Sequence, residues 1–267
     1  MITQREISQL AYQLKMNDKV IENDYVITWL LLALADSELK DTIVFKGGTA
    51  LKKIYFPDYR YSEDLDFTVI KETSPETLID LLPKTLDKLA KDQAFQFAIP
   101  PELIERRTDS LTVYVNFVGP LQARLDSRDI KVDFTLSEKL IFPIEPLAIH
   151  SAYSDAINRN IATYSLEEIL TEKLCAIIGR TEPRDIYDAN FLFSLKEIDF
   201  YRIADAFKEK AEFKSIDPAR LADALERKKP TLSRTWKNRL QDQVRDLPHL
   251  EEVLRELNRS IKNHLDL

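Results

Sequence analysis

Two aspartates lie two positions apart in Asp64-Leu65-Asp66-Phe67. The segment from Asp64 to Ile70 alternates polar and apolar residues, which is typical of a strand with one buried face. On such a strand both carboxylates project from one face, where they repel each other unless a cation neutralises them. Oxygen ligands favour a hard ion, so the pair predicts a site for Mg²⁺, with Mn²⁺ as the alternative ion. From this pattern alone, a solvated pair at a strand edge remains the competing interpretation.

A diglycine turn forms the second candidate feature. Gly47-Gly48-Thr49 separates an apolar, β-branched segment at residues 42–45 from a predicted helix that runs to Tyr55. Successive backbone N–H groups at a helix start can bind a phosphate. The sequence contains neither the P-loop pattern nor the dinucleotide-binding glycine pattern, so a phosphate would be held by a different arrangement. An ordinary tight turn is the alternative.

A third carboxylate, Asp133, lies on a strand predicted over residues 130–136. If this strand pairs beside the first, Asp133 joins Asp64 and Asp66. Two metal ions held by three carboxylates can bind an incoming triphosphate, activate an attacking oxygen and neutralise a leaving pyrophosphate. That is the minimum equipment for nucleotidyl transfer, although a single aspartate at position 133 is more often a cap or turn residue.

The elements that must position these residues change in type along the chain. Apolar spacing predicts two helices before residue 36 and a third over residues 75–91, and a further strand is predicted over residues 111–117. From Ser165 onwards the pattern is helical, beginning with a capping box in which Ser165 and Glu168 are three apart. The sequence therefore predicts an α+β fold, with an α+β lobe over residues 1–160 and a helical lobe over residues 161–267.

Composition excludes several other classes of protein. The 267 residues are 44% hydrophobic and carry a net charge of −7, which argues against a protein that coats nucleic acid. Residues 201–267 hold 15 basic and 12 acidic side chains, so the surplus of negative charge lies in the rest. The single Cys175 and three scattered histidines fit no disulfide or zinc pattern. We expect no export signal, no membrane span and a cytoplasmic location.

Four motifs together resemble those of the AbiEii/AbiGii nucleotidyltransferase-like toxins, a group that includes the MenT toxins and has the polymerase-β-type nucleotidyltransferase fold. The resemblance extends from about residue 20 to about residue 195, and its motifs are specific jointly rather than singly. Thr49 stands where many nucleotidyltransferases have serine, and threonine retains the hydroxyl group. The motifs are Phe45-Lys46-Gly47-Gly48-Thr49-Ala50-Leu51, Arg60-Tyr61-Ser62-Glu63-Asp64-Leu65-Asp66-Phe67, Glu172-Lys173-Leu174-Cys175-Ala176 and Arg184-Asp185-Ile186-Tyr187-Asp188.

The resemblance implies a nucleotidyltransferase-like mixed sheet and a role for each motif. Gly47, Gly48 and Thr49 would bind the triphosphate of an NTP, and Asp64 and Asp66 would bind the metal. The helical lobe would contribute Lys173 and Asp185 to the cleft. Lys173 would act on the phosphates or the transition-state charge. Arg184 and Asp185 would belong to the last motif, with Arg184 binding the nucleotide and Asp185 as a catalytic residue. From the residues alone, Lys173 also fits a solvated helix position, and Arg184-Asp185 a helix start.

We therefore expect a cytoplasmic, Mg²⁺-dependent toxin of a toxin–antitoxin or abortive-infection system, which transfers NMP from an NTP to RNA, with tRNA 3′ ends as the leading acceptor. An AbiEi-like antitoxin would be the partner. The alternatives are a nucleotidyltransferase that modifies a small molecule or a protein, and a binding module without catalysis. The RNA expectation depends partly on a basic cluster that could contact phosphates, in which Trp236 accompanies Arg227, Lys228, Lys229, Arg234, Lys237 and Arg239.

Overall fold

The computed structural model describes residues 1–265. It confirms the helices and strands predicted above. The helices are α1 (Gln4–Leu14), α2 (Asp18–Ala35), α3 (Gly47–Ala50), α4 (Pro75–Gln93), α5 (Leu166–Gly179), α6 (Pro183–Phe193), α7 (Phe200–Phe213), α8 (Leu221–Leu240) and α9 (Leu250–His264). The strands are β1 (Ile43–Lys46), β2 (Asp64–Val69), β3 (Gln96–Ala98), β4 (Ile104–Arg106), β5 (Ser110–Val118), β6 (Asp129–Thr135), β7 (Ile144–Ala148) and β8 (Asn160–Tyr164).

The chain divides into two compact units. The sheet unit comprises Met1–Glu138 and Ile144–Thr163. The helical unit comprises Lys139–Pro143 and the chain from Tyr164 onwards, and it contains α5 to α9. A mixed sheet with flanking helices confirms the predicted α+β class. No helix within residues 1–265 has both the length and the apolar composition needed to cross a membrane.

The sheet brings together strands that are distant in sequence. Among the described residues its order is β3-β5-β6-β2-β1-β8-β7, with β4 paired to β5. Strands β2 and β6 run parallel, as do β1 and β8, whereas β1–β2 and β5–β6 are antiparallel. The strand that carries Asp64 and Asp66 therefore lies at the centre of the sheet, directly beside the strand that carries Asp133.

Three phenylalanines on the apolar face fix the orientation of the central strands. The ring of Phe67 in β2 lies 5.4 Å from that of Phe45 in β1 and 5.7 Å from that of Phe134 in β6. All three are fully buried, and burying each such side chain contributes about 1.5–3 kcal/mol. Because side chains alternate along a strand, packing these rings on one face turns Asp64 and Asp66 to the other.

The capping box predicted at Ser165 forms only in part. Ser165 Oγ accepts a hydrogen bond from the backbone N–H of Glu168 at 3.2 Å, which starts α5. The Glu168 carboxylate does not return to Ser165, because it binds the buried ammonium of Lys210 at 2.5 Å and the backbone N–H groups of Ile141 and Phe142 at 2.9 and 2.8 Å. These bonds explain why residues 139–143 belong to the helical unit.

Four short strands are missing from the prediction. Strands β3 and β4 have three residues each, too few for alternation to be recognised. Strand β7 lies at the end of the sheet order and contains Pro146, which is tolerated at a sheet edge because the missing N–H costs no ladder bond there. Strand β8 can be recognised only once its parallel pairing with β1 is known, and that pairing is not visible in the local sequence.

Candidate active site

The sheet register brings the three predicted aspartates to one face. In the parallel pairing of β2 with β6, Asp66 lies opposite Asp133, and Asp64 lies opposite Lys131. Paired residues on neighbouring strands project from the same side, so Asp64, Asp66, Lys131 and Asp133 form one surface, which we call the carboxylate face. All four side chains are half-buried. The register therefore places all three aspartates on one face of the sheet, and their joint binding of a metal remains a prediction.

The diglycine turn meets this face at Asp66. Gly47 has a φ of 78°, in the left-handed region that glycine adopts without strain. A Cβ atom at Gly47 would lie 2.5 Å from Oδ2 of Asp66, which is closer than Cβ contacts allow. Only glycine lets the turn approach the carboxylate this closely. The turn and Asp66 thus share one location, as a nucleotide-binding site requires.

The side chain of Thr49 links the diglycine turn to strand β2. Its hydroxyl donates a hydrogen bond to the backbone carbonyl of Asp64 at 2.5 Å, and the residue is 1% exposed. The buried Gly48 lies in the first turn of α3, which continues into a π-helical turn at Leu51–Tyr55. The Thr49 hydroxyl therefore ties the diglycine turn to the strand of the two aspartates.

A buried ion pair anchors the helix that follows the turn. The ammonium of Lys53 lies 2.7 Å from Oδ2 of Asp24 and donates a hydrogen bond to Thr28 Oγ1 at 2.8 Å. The hydroxyl of Tyr153 donates to the same Asp24 oxygen at 2.8 Å. Burial, followed by the charge of Asp24, raises the pKa of Tyr153, so its hydroxyl remains a donor. These bonds hold the helix against α2.

Asp133 uses both carboxylate oxygens within the sheet unit. Oδ1 accepts a hydrogen bond from the hydroxyl of Thr112, and Oδ2 accepts one from the ammonium of Lys131. Among residues 1–265, no group of three or more acidic, histidine or cysteine side chains is arranged as a ready metal cage. Mg²⁺, however, is usually held by one or two carboxylates together with substrate phosphates and water. Asp64 and Asp66 fit that description, with Asp133 as their neighbour.

The charges on the carboxylate face affect the pKa values of two nearby groups, Lys131 and Asp129. Burial disfavours the charge of Lys131, but its hydrogen bond to Asp133 and the charges of Asp133, Asp64 and Asp66 outweigh this and raise its pKa. Partial burial, followed by the charge of Asp64, raises the pKa of Asp129. Both shifts have the direction that negative charge around these two groups produces. Lys131 is a component that the sequence prediction missed, although its spacing of two from Asp133 on a strand places both on one face.

In the helical unit, Lys173 is held by two aspartates. Its ammonium lies 2.9 Å from Oδ1 of Asp185 and 2.7 Å from Oδ2 of Asp188. Arg180 binds Asp185 through both Nε, at 2.7 Å, and a terminal nitrogen, at 3.0 Å. Although burial alone raises the pKa of Asp185, Lys173 and Arg180 lower it below its usual value. We call Lys173, Asp185 and Asp188, together with the exposed side chain of Arg180 at their edge, the buried charge cluster.

The sequence contains signals for this cluster that the prediction used only in part. Asp185 and Asp188 are three apart on α6 and therefore share a helix face, while Arg180 is the residue that directly follows α5. Asp188 and Arg180 are the members that were missed. Arg184 was predicted to bind nucleotide, and its Nε lies 3.5 Å from a carboxylate oxygen of Glu182.

The basic cluster predicted to contact phosphates requires correction. The ammonium of Lys228 donates hydrogen bonds to the carbonyls of Ile177, Ile178 and Arg180 at 2.5, 2.8 and 2.7 Å, so it caps the C-terminus of α5. Trp236 is 5% exposed and donates from its indole nitrogen to Pro248 O at 3.0 Å. Both residues serve the packing of the helical unit. The members that remain exposed are Arg227, Lys229, Arg234, Lys237 and Arg239.

Comparison with known proteins agrees with this geometry. The family profile "Nucleotidyl transferase AbiEii toxin, Type IV TA system" matches residues 29–256. The chain resembles MenT4, a nucleotidyltransferase toxin from Mycobacterium tuberculosis H37Rv, with a TM-score of 0.70 at 17% identity, covering 100% of this chain and 91% of that one. It also resembles JHP933 from Helicobacter pylori, with a TM-score of 0.62 at 17% identity, covering 93% and 92%. Curated protein sequences gave no significant match.

At such low identities the two structures establish the fold, while the profile covers most of the chain and establishes the family. The resemblance that the four motifs suggested is thereby confirmed. The protein is a nucleotidyltransferase that belongs to the AbiEii family of toxins from type IV toxin–antitoxin systems.

Proposed function

We propose that this toxin acts in the bacterial cytoplasm and, with Mg²⁺, transfers a nucleoside monophosphate from an NTP to a hydroxyl group at the 3′ end of a tRNA. The observation that carries the proposal is the meeting of Gly47 with Oδ2 of Asp66 on a face that also holds Asp64. A glycine turn that can receive phosphate next to an oxygen-only cation site is the arrangement that nucleotidyl transfer needs.

The residues of the sheet unit supply binding and orientation. Backbone N–H groups of the turn at Gly47 and Gly48 receive phosphate oxygens, while Thr49 keeps the turn in place. Asp64 and Asp66 would hold Mg²⁺, and Mn²⁺ presents the same preference for oxygen ligands. When bound, the metal neutralises triphosphate charge and polarises the attacking hydroxyl.

In the reaction, the acceptor oxygen forms a bond to the α-phosphorus as the bond to the bridging oxygen of the β-phosphate breaks. The proton of the hydroxyl passes to water, and pyrophosphate leaves with the electron pair of the broken bond. The family resemblance assigns Lys173 to the phosphates, and within the helical unit its ammonium is held by Asp185 and Asp188. Family membership implies a cognate antitoxin and an NTP substrate. We extend this to an AbiEi-like antitoxin.

The chemistry is tested by incubating the protein with labelled NTPs, Mg²⁺ and total tRNA. Asp66→Asn should lower transfer at least about a hundredfold, because it removes a charged metal ligand. Asp87→Asn, an exposed substitution on α4, is the matched control and should transfer at the wild-type rate. Transfer that survives Asp66→Asn unchanged would show that the metal site is assigned wrongly.

The acceptor and the toxicity have separate tests. If label enters a protein or a small molecule but no RNA, the enzyme stands and the tRNA assignment is wrong. Expression of the wild type should arrest bacterial growth, whereas Asp64→Ala should be tolerated. Equal growth of the two strains at equal protein levels would contradict a toxicity that depends on this site.

A further inference from the structure

The carboxylate face already holds a cation of its own. The ammonium of Lys131 is bonded to Asp133, and the negative charges of Asp64 and Asp66 also act on it. The parallel register explains this position, because Lys131 lies opposite Asp64 while Asp133 lies opposite Asp66. A positive side chain therefore lies on the same face as the three carboxylates that the sequence predicts as metal ligands, and it is bonded to one of them.

We propose that Lys131 is a built-in counter-ion that competes with the divalent metal for the carboxylate face. In the free protein, its ammonium compensates the mutual repulsion of the aspartates. A divalent ion binds strongly only when the ammonium moves away. The inference rests on the proposed function, since it concerns the same cation site, and it assigns to Lys131 control of metal affinity rather than a catalytic role.

The exposure of Lys131 makes such a movement feasible. Its side chain is 34% exposed and that of Asp133 is 24% exposed, so the ammonium has a path to water along a flexible four-carbon stem. Lys173 offers the contrast within the same protein. Its side chain is 10% exposed and is held by two aspartates, so release of that ammonium would leave buried carboxylates unpaired.

The two strands also explain why the competition would affect metal affinity directly. Lys131 shares its strand and face with Asp133, two positions away, so its ammonium cannot be remote from a metal bound beside Asp133. A divalent ion roughly 6 Å from an ammonium in a water-like medium is repelled enough to lower its affinity about tenfold. Removing the ammonium should restore that factor.

The test is a Mn²⁺ titration of the full chain after treatment with EDTA, without nucleotide, in which free Mn²⁺ is measured by electron paramagnetic resonance. Lys131→Met should bind Mn²⁺ about tenfold more tightly than the wild type. Its melting temperature in EDTA should fall, because the aspartates lose their counter-ion, and Mn²⁺ should raise it by more than in the wild type. Lys131→Arg, which keeps the charge, should stay close to wild-type affinity.

Lys88→Met is the matched control. Lys88 lies on α4, 3.6 Å from Asp36, and its removal changes the net charge equally without touching the carboxylate face. It should leave Mn²⁺ affinity within twofold of the wild type. If Lys131→Met binds Mn²⁺ no more tightly than the wild type, the counter-ion inference is overturned. If Lys131→Met does not fold, Lys131→Gln is judged by the same criterion.

Asp66→Asn separates the two proposals. It should abolish Mn²⁺ binding both in the wild type and in the Lys131 variant. If it does so while Lys131→Met shows no gain, only the counter-ion inference fails. If Mn²⁺ binds equally with Asp66→Asn, the metal site fails and both proposals are overturned. If Mn²⁺ binds to no variant, the counter-ion inference alone is overturned, because in the proposed function nucleotide phosphates complete the coordination.

Discussion

The carboxylate face and the buried charge cluster both pair lysine with aspartate, but water reaches them to different extents. The side chains of Lys131 and Asp133 are 34% and 24% exposed, whereas those of Lys173 and Asp185 are 10% and 1% exposed. Their charge balance also differs. Acidic groups outnumber the lysine on the carboxylate face, while two basic and two acidic groups meet in the buried cluster.

This difference separates a site that can receive a cation from one that is already neutral. A half-exposed surplus of carboxylates is tolerated because water screens it, and it can be neutralised further by a ligand. A buried cluster has no such freedom, since every charge in it needs its partner. The buried pairs of Lys173 are therefore costly to break, whereas the carboxylate face can accept a further cation.

The largest expected effect concerns Asp188, whose side chain is fully buried against Lys173. Asp188→Ala should lower the free energy of unfolding by about 3 kcal/mol, because it leaves a buried ammonium short of one partner. Asp64→Asn on the carboxylate face should change it by less than about 1 kcal/mol. Urea unfolding of both variants measures this. The exposed Asp223→Ala, which removes only the surface pair with Arg227, is the control. Equal losses for Asp188 and Asp64 would erase the distinction between the two regions.

Two glycines sharpen the same contrast. Gly47→Ala places a Cβ 2.5 Å from Asp66 Oδ2 at a φ of 78°, which should cost about 1–2 kcal/mol in backbone strain alone. Displacement of Asp66 should lower nucleotidyl transfer as well. Gly179→Ala, at the end of α5, meets no atom within 4 Å and should stabilise the protein by about 0.4–1 kcal/mol. Urea unfolding and the transfer assay measure both variants, and a stable, fully active Gly47→Ala would show that the turn does not need its close approach.

Much of the carboxylate face was predictable because each strand carries its own signal. Alternation in β2 shows that Asp64 and Asp66 share a face, and the apolar Phe67 shows which face is buried. Alternation does not reveal which strand will be the neighbour. The pairing of Asp66 with Asp133 depends on a parallel register between strands far apart in sequence, and a slip of one residue would turn Asp133 to the other face.

The helical unit was less predictable because its charged groups are chosen by long-range packing. No local sequence pattern around Lys228 indicates that its ammonium caps α5, which lies about fifty residues earlier. Trp236 did carry a usable signal, since it lies four residues from both Leu232 and Leu240 and so falls on the apolar face of α8. The number of basic residues in this segment hid that periodicity.

The dependence of protein stability on acidic pH should reflect the lowered pKa of Asp185 in the buried charge cluster. Its pKa is lowered in the folded protein, so the stability it contributes is complete above its unfolded pKa of about 3.9 and is lost as the pH falls through the lower folded value. The free energy of unfolding of the wild type should therefore fall as the pH is lowered from 5 to 3. Asp185 should contribute up to about 1.4 kcal/mol per pH unit to this fall. Asp185→Asn should remove that contribution. Urea unfolding across this range measures the slope, and identical slopes in the two proteins would contradict the assignment.

The smallest expected effect tests how the diglycine turn is fixed to β2. Thr49→Val keeps the shape of the side chain but removes the donor to the Asp64 carbonyl, which should cost about 1 kcal/mol because a buried acceptor loses its partner. Thr49→Ser keeps the donor and removes only a methyl group. If the hydroxyl acts by positioning Asp64, the valine variant should lose transfer activity while the serine variant retains most of it, although their unfolding free energies are similar. Equal activity in the two variants would mean that the turn holds its position through packing, and that the hydroxyl shared by serine and threonine has no part in orienting the metal-binding strand.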